Sequence, residues 1–426
     1  MSIRDDARQM KLDAPTMAAT GIDARNDALR RVREALLARA DEIFAANALD
    51  LAAAEEDGVT PQIVKRLRFD EHKLADVTAG IDQLIALPDP VGRVTLDREL
   101  DEGLELRRVT CPIGVIGVIF EARPDALVQI SALCLKSGNC AILKGGRETA
   151  NTNRVLFSLI HEAAVGADLP EACLKQAESH ADIDELLACD REVDLLIPRG
   201  SNAFVRYIMD HTKIPVMGHS DGICHMYVDA AADPDQALRL ILDAKTQYVA
   251  ACNALETCLV DRAVAADFLP RLAAACTDAG VTLHGDAEVG SYVPVEPLGE
   301  DGYRHEYLAM DMTVALVDGV DAACDHINRY GSHHTDAICT TDAAHADRFC
   351  QLVDSAGVYV NASTRFADGF RYGFGAEVGI STGKIHARGP VGLDGLVTYK
   401  YVLYGHGDIV GDYASGRRHF THRDLI

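Results

Sequence analysis

Between residues 114 and 218, short apolar runs alternate with amphipathic stretches, and this rhythm constrains the chain more than any other feature. "GVIGVIF" (114–120) reads as a buried strand, "DALVQISALCLKSG" as a helix stopped at Gly138, and "CAILK" (140–144) as the next strand. A helix carrying Val155, Leu156, Leu159, Ile160 and Ala163 follows. "VDLLIP" (193–198) and "IPVMG" (214–218) read as further strands with a helix between them. Strands joined by helical crossovers form a parallel sheet covered by helices. Ligands of such sheets sit beyond the carboxyl ends of the strands, so the residues there are the first to weigh.

The flanking regions read differently. Residues 15–90 are Ala-rich with apolar positions at helical spacing. After the Pro- and Gly-bearing link "LPDPVGRV", the stretches "TLDREL" and "LELRRVTCPI" read as a hairpin at about 95–113. A second α/β region runs to about 385, and "KIHARGPVGLDGLVTYKYVLYG" reads as an extended arm. Expected domains are therefore 1–245, 246–385 and 386–426. A length of 426 residues suits two or three cores.

Composition excludes several function classes. The start, "MSIRDDARQMKLDA", lacks the apolar centre of a signal peptide, and "GVIGVIF" is far shorter than the roughly 20 residues that span a bilayer. Twelve cysteines without any C-x-x-C argue against a disulfide framework or structural zinc and suit a reducing, cytoplasmic setting. A net charge of −24 disfavours nucleic acid and anionic membranes as partners. An anionic substrate then needs a local basic pocket.

Three constellations could carry chemistry. In "AACNALETCLV" (250–260), Cys252 falls between a helix (234–247) and a strand, whereas Cys258 alternates with Thr257 and Leu259 on that strand. A loop thiol can be presented to a cleft, but free cysteines are commonly inert core residues, and position alone leaves both readings open for Cys252. Lys144, Gly145, Gly146 and Arg147 follow one strand, and Arg199, Gly200, Ser201 and Asn202 follow another, expected to be its neighbour in the sheet, at a helix N-terminus. Each is either a basic surface turn or part of a phosphate-binding edge. "DHINRYGSHHTDAICT" gathers His326, Ser332, His333, His334, Thr335 and Asp336. A metal reading is disfavoured because adjacent histidines diverge in extended chain, and an anion pocket of hydroxyls and imidazoles is the better one. "GFGAEVG" and "GHGDIVG" are one residue too long for G-x-G-x-x-G and read as turns.

Taken together, "GVIGVIFEARPDA", "AILKGGRETANTN", "LIPRGSNAF", "AKTQYVAACNALETCLV", "HINRYGSHHTDAI" and "EVGISTGKIHARGPVGLDGLVTYKYVLYG" resemble the gamma-glutamyl phosphate reductases of the aldehyde dehydrogenase superfamily. The resemblance runs over nearly the whole chain. It implies an α/β, aldehyde dehydrogenase-like fold: a Rossmann-like NADP-binding domain within 1–245, a catalytic domain at 246–385, and an oligomerisation arm formed by 386–426 with the hairpin. The implied reaction is NADPH-dependent reduction of L-glutamyl 5-phosphate to L-glutamate 5-semialdehyde, with phosphate released, in proline biosynthesis. Cys252 would be the nucleophile that forms a thioester, with Asn253 beside it. Lys144, Arg147, Gly200, Ser201 and Glu306 would hold the cofactor, Arg147 facing the 2′-phosphate of NADPH and Glu306 the nicotinamide ribose. Arg123, Ser332, His333 and His334 would meet the substrate and its phosphate. No metal is implied, a homo-oligomer is, and the glutamate kinase that supplies the substrate would be a separate chain.

Departures from the pattern matter too. The hydrolytic glutamate base of the superfamily has no counterpart in "GHSDGIC", where His219 stands near its place. Ala122 stands where the superfamily has its asparagine oxyanion donor. Cys324 replaces a branched aliphatic residue, a packing change. The competing readings are an aldehyde dehydrogenase that makes the free acid, which the missing glutamate speaks against, and a non-catalytic nucleotide-binding protein.

Overall fold

The computed structural model describes residues 2–179, 181–219, 221–374 and 376–426. The backbone falls into two compact units: Met1–Met217 with Phe374–Gly379 and Val391–Ile426, and Gly218–Gly373 with Ile380–Pro390.

The first unit opens on helices Ile3–Ala18, Ile22–Ala38, Ala40–Glu56, Pro61–Leu67 and Glu71–Ala86. The first and last of these start on side-chain caps: Ser2 Oγ accepts from the Asp5 N–H, and Asp70 accepts from the Lys73 N–H. In the second helix Arg25, Ala28, Leu29, Val32 and Leu36 are buried, the spacing of one apolar face. Strands β1 (Val94–Asp101) and β2 (Leu104–Pro112) form the expected hairpin. Strands β3 (Val115–Phe120), β4 (Cys140–Lys144), β5 (Leu174–Ala177) and β6 (Leu195–Arg199) form a parallel sheet in the order β5-β4-β3-β6. Two expectations are corrected. "IPVMG" makes only an isolated bridge, Leu196 with Val216, because Pro215 lacks the N–H that would extend a ladder. The Lys144 and Arg199 ends also do not neighbour each other, since β3 lies between β4 and β6. The tail strand Val397–Tyr404 pairs antiparallel with β2, so hairpin and tail share one sheet.

The second unit is built on strands β7 (Cys224–Val228), β8 (Leu255–Asp261), β9 (Thr282–Gly285), β10 (Glu296–Pro297), β11 (Asp311–Val317), β12 (Thr335–Cys339) and β13 (Gly357–Val360). They run parallel in the order β10-β9-β11-β8-β7-β12-β13. Helices Pro234–Thr246 and Ala265–Asp278 contribute Ile241, Ala244, Phe268, Leu269 and Leu272 to one core with Cys258. Helices Gly319–Tyr330 and Ala343–Leu352 contribute Cys324, Ile327 and Phe349 to another with Leu259. Coverage on both faces explains why β8 is buried along its whole length despite Glu256 and Thr257. The contact division falls at 217/218, not 245/246, because β7 pairs with β8 and β12 and carries the Pro234–Thr246 helix with it. Among the described residues, no helix is long and apolar enough to cross a membrane.

Candidate active site

β8, β7 and β12 are consecutive strands of the second sheet, and the segments leading into them carry the site. The Pro234–Thr246 helix starts with Pro234 in its first turn and the Asp233 carboxylate accepting from the Asp235 and Gln236 N–H groups. Past its end the chain turns, with the Ala254 N–H donating to the Ala251 carbonyl at 2.9 Å, before β8 begins. Cys252 lies half-buried in that turn. Cys258 is fully buried, and that burial pushes its thiol well above the ordinary range, so it is inert.

The turn is pegged from behind. The Asn253 amide donates to the Ala367 carbonyl at 2.8 Å, and its own backbone carbonyl accepts from the Thr364 hydroxyl at 2.7 Å. Asn253 was expected beside the reacting atoms; its buried side chain instead fixes the turn.

His334 immediately precedes β12, and its Nε2 lies 3.2 Å from Cys252 Sγ. Its Nδ1 is 3.0 Å from Thr335 Oγ1, which orients the ring. Burial, with the nearby His219 ring, holds this imidazole well below its ordinary pKa, so it is neutral at neutral pH. The anion pocket expected from Ser332, His333 and His334 does not assemble. Ser332 Oγ accepts from the Ile223 N–H at 2.8 Å. His333, at φ 60°, turns away and donates from Nδ1 to the Asp354 carbonyl at 2.6 Å. The divergence of adjacent side chains, used above against a metal, also splits the pocket. Asp336 is likewise engaged within the core, accepting from the His225 N–H and sitting 2.9 Å from its Nδ1.

A second layer holds the turn in place. A Cβ at Gly222 would meet the Cys252 carbonyl oxygen at 2.2 Å and its Cα at 2.6 Å, so only glycine permits this approach. The Gly222 N–H donates to Glu306 Oε1 at 3.0 Å. The loop after Glu306 is fixed by Glu256, which accepts from the Tyr307 and Leu308 N–H groups at 3.2 and 3.4 Å and from Lys245 Nζ at 3.1 Å. Gly222→Ala is therefore expected to displace Cys252 and lower kcat on the order of 10²-fold, the cost of misplacement by about 1 Å. Tm should fall as well, because the clash is with backbone, so kcat is compared on the folded protein; a normal kcat in steady-state assays would show that the turn tolerates the shift.

The first unit gathers a different set. Lys144, buried at the carboxyl end of β4, donates from Nζ to the Gly145 carbonyl at 2.6 Å, and burial lowers its pKa. Arg147 opens the short turn that follows and is exposed. Arg123 precedes the Pro124–Lys136 helix and is exposed. At Gly200 and Ser201 the helix Asn202–Asp210 begins, but the Ser201 N–H already donates to Glu121 at 3.0 Å. The free N–H expected there for phosphate meets a carboxylate competitor. Ala122, at φ 48°, likewise gives its N–H to Glu148 at 2.6 Å.

Residues 3–296 match the sequence profile of the "Aldehyde dehydrogenase family". The chain belongs to the aldehyde dehydrogenase family. It is 54% identical over 425 residues to a protein named gamma-glutamyl phosphate reductase from Ruminiclostridium cellulolyticum, covering 100% of this chain and 98% of that one. The crystal structure of gamma-glutamyl phosphate reductase from Thermotoga maritima superposes with a TM-score of 0.93 at 36% identity, covering 96% of this chain and 100% of that one. An engineered glycolyl-CoA reductase with bound NADP+ shares the fold at a TM-score of 0.63 and 14% identity, covering 94% of this chain and 96% of that one. Within the family, the chain falls among the gamma-glutamyl phosphate reductases.

Sequence reasoning missed Gly222, Lys245, Glu256 and Arg365. Arg365 is nearly buried, donates from Nε to Gln247 at 2.9 Å, and follows Thr364, whose hydroxyl holds the Asn253 carbonyl. A signal existed for Lys245 and Glu256: Lys245 shares the helical face of Ala237, Ile241 and Ala244, Glu256 lies within a strand, and charges buried in such places must find each other.

Proposed function

We propose that this chain reduces L-glutamyl 5-phosphate to L-glutamate 5-semialdehyde with NADPH, releasing phosphate, in proline biosynthesis. Whole-length identity to proteins named for that reaction supports the substrate. The 3.2 Å approach of His334 Nε2 to Cys252 Sγ carries the mechanism. A neutral imidazole held through Nδ1 takes the thiol proton at Nε2; the thiolate attacks the acyl carbon; phosphate leaves; and a Cys252 thioester remains. When bound, NADPH supplies the hydride. Collapse of the resulting tetrahedral carbon expels the Cys252 thiolate, which recovers its proton from His334, and the aldehyde departs. Arg365, a nearly buried cation next to Thr364, whose hydroxyl holds the Asn253 carbonyl, would supply positive charge beside the Cys252 turn for the thiolate and the anionic leaving group, a role left open by the histidine-rich segment.

A nucleotide fits the first unit's donor set. Lys144 and Arg147 place cations at the carboxyl edge of a parallel sheet. In the first unit Lys144 would hold the adenine ribose and Arg147 the 2′-phosphate; the family resemblance assigns Glu306 to the nicotinamide ribose. Arg147→Glu should shift the ratio of kcat/KM for NADPH over NADH downward by at least about 10-fold, since a charge pair to a phosphate becomes a repulsion. An unchanged ratio would assign the phosphate to another residue. The proposal includes a cytoplasmic location, in keeping with twelve free cysteines, and a homo-oligomer with a separate kinase chain. The function is tested by supplying glutamate, ATP and a glutamate kinase and following NADPH absorbance. Consumption requiring all three supports it, and none under those conditions refutes it.

A further inference from the structure

His219, Cys252 and His334 bring one sulfur and two imidazole nitrogens within 4.8 Å of one another. The His219 and His334 rings meet edge-on, 5.0 Å between centroids at 85°, and His334 Nε2 is 3.2 Å from Cys252 Sγ. We propose that these three side chains form a site for a borderline-soft divalent metal, zinc foremost, and that its occupation reversibly blocks the enzyme.

The donor set is the argument. Zinc binds thiolate at about 2.3 Å and imidazole at about 2.0–2.1 Å, so tetrahedral geometry separates its ligand atoms by roughly 3.3–3.7 Å. The Nε2–Sγ pair, at 3.2 Å, lies just short of that range, and a pair as far apart as the 4.8 Å limit would have to close by about 1 Å through ring rotation. Thr335 Oγ1 on Nδ1 fixes the His334 ring from behind, as outer-shell partners of zinc-binding histidines do. Three protein ligands leave a fourth position for water or a small anion, the arrangement of open zinc sites. Binding is a ligand exchange without redox change: the Cys252 thiol releases its proton to solvent, and the sulfur lone pair forms the metal–sulfur bond. The same cluster offers nothing to magnesium, which demands oxygen ligands. Binding follows from the geometry alone; inhibition rests on the proposed role of Cys252, because a metal-bound sulfur cannot attack an acyl carbon.

The test uses the full-length protein and cobalt(II) as the spectroscopic probe, in buffer free of thiols and chelators. One equivalent should give a thiolate-to-cobalt charge-transfer band with the strong visible absorption of tetrahedral cobalt. Zinc should abolish both signals, and magnesium neither. Cys252→Ser should remove the charge-transfer band, and His219→Ala should weaken binding by 10²-fold or more, given that even outer-shell losses cost about 10–100-fold. A band that persists in Cys252→Ser, or affinity unchanged in His219→Ala, overturns the site. If the band forms as expected while zinc leaves NADPH consumption untouched, the site stands, and the block, together with the nucleophile assignment, fails.

Discussion

Cys252→Ser is expected to lower acyl-phosphate reduction by roughly 10⁴-fold or more, the scale at which loss of a catalytic nucleophile is felt. NADPH should still bind, as read by its fluorescence, because the proposed cofactor contacts at Lys144, Arg147 and Glu306 involve other residues. Serine keeps the shape of the turn and the approach to His334, so the loss isolates the sulfur itself. Cys258→Ala is the matched control. Cys258 lies in the core with Ile241, Leu269 and Val314, and its replacement should cost about 1–2 kcal/mol of stability through a small cavity, with kcat unchanged. Retained turnover in the first variant, or lost turnover in a folded second one, would reverse the assignment of the two thiols.

The second large effect is on stability. Lys245 is 1% exposed and Glu256 fully buried, and their carboxylate–ammonium contact is supported by two backbone N–H groups. Glu256→Gln strands the lysine charge in the core, a loss of about 3–5 kcal/mol for a broken buried pair. Lys245→Met with Glu256→Met should recover most of that, because no charge is left unpaired. The recovered protein should nevertheless show a raised KM for NADPH, since Tyr307 and Leu308 have lost the acceptor that positions Glu306. Burial pushes the Glu256 carboxyl up and the Lys245 ammonium down, while each partner's charge pulls the other back, which is why losing one member alone is costly.

What the sequence disclosed followed from periodicity. Strands 114–120 and 140–144, the hairpin, and the loop-versus-strand placement of Cys252 and Cys258 all rest on local pattern, and the structure has them where the pattern put them. "LKQA" at β5 was missed because four residues with two polar ones carry no period. The larger gap concerns the edge at which the second unit works. Carboxyl ends of strands drew attention, yet Gly222, Cys252 and His334 all precede their strands, at the amino edge of β7, β8 and β12. Which edge gathers a site depends on strand order, and an order in which β7 lies between β8 and β12 is invisible along the chain. For the same reason the histidine run was read as one pocket, whereas its side chains serve a thiol, a carbonyl and a backbone N–H.

The central claim is a Cys252 thioester exchanged with phosphate and resolved by hydride transfer, not by water. Its most direct test is the reverse reaction: L-glutamate 5-semialdehyde and NADP+ with and without inorganic phosphate, following NADPH. Sustained NADPH formation should depend on phosphate, with at most one equivalent per Cys252 formed in its absence. Steady turnover of the same rate without phosphate would mean that water resolves the thioester, and would contradict the account.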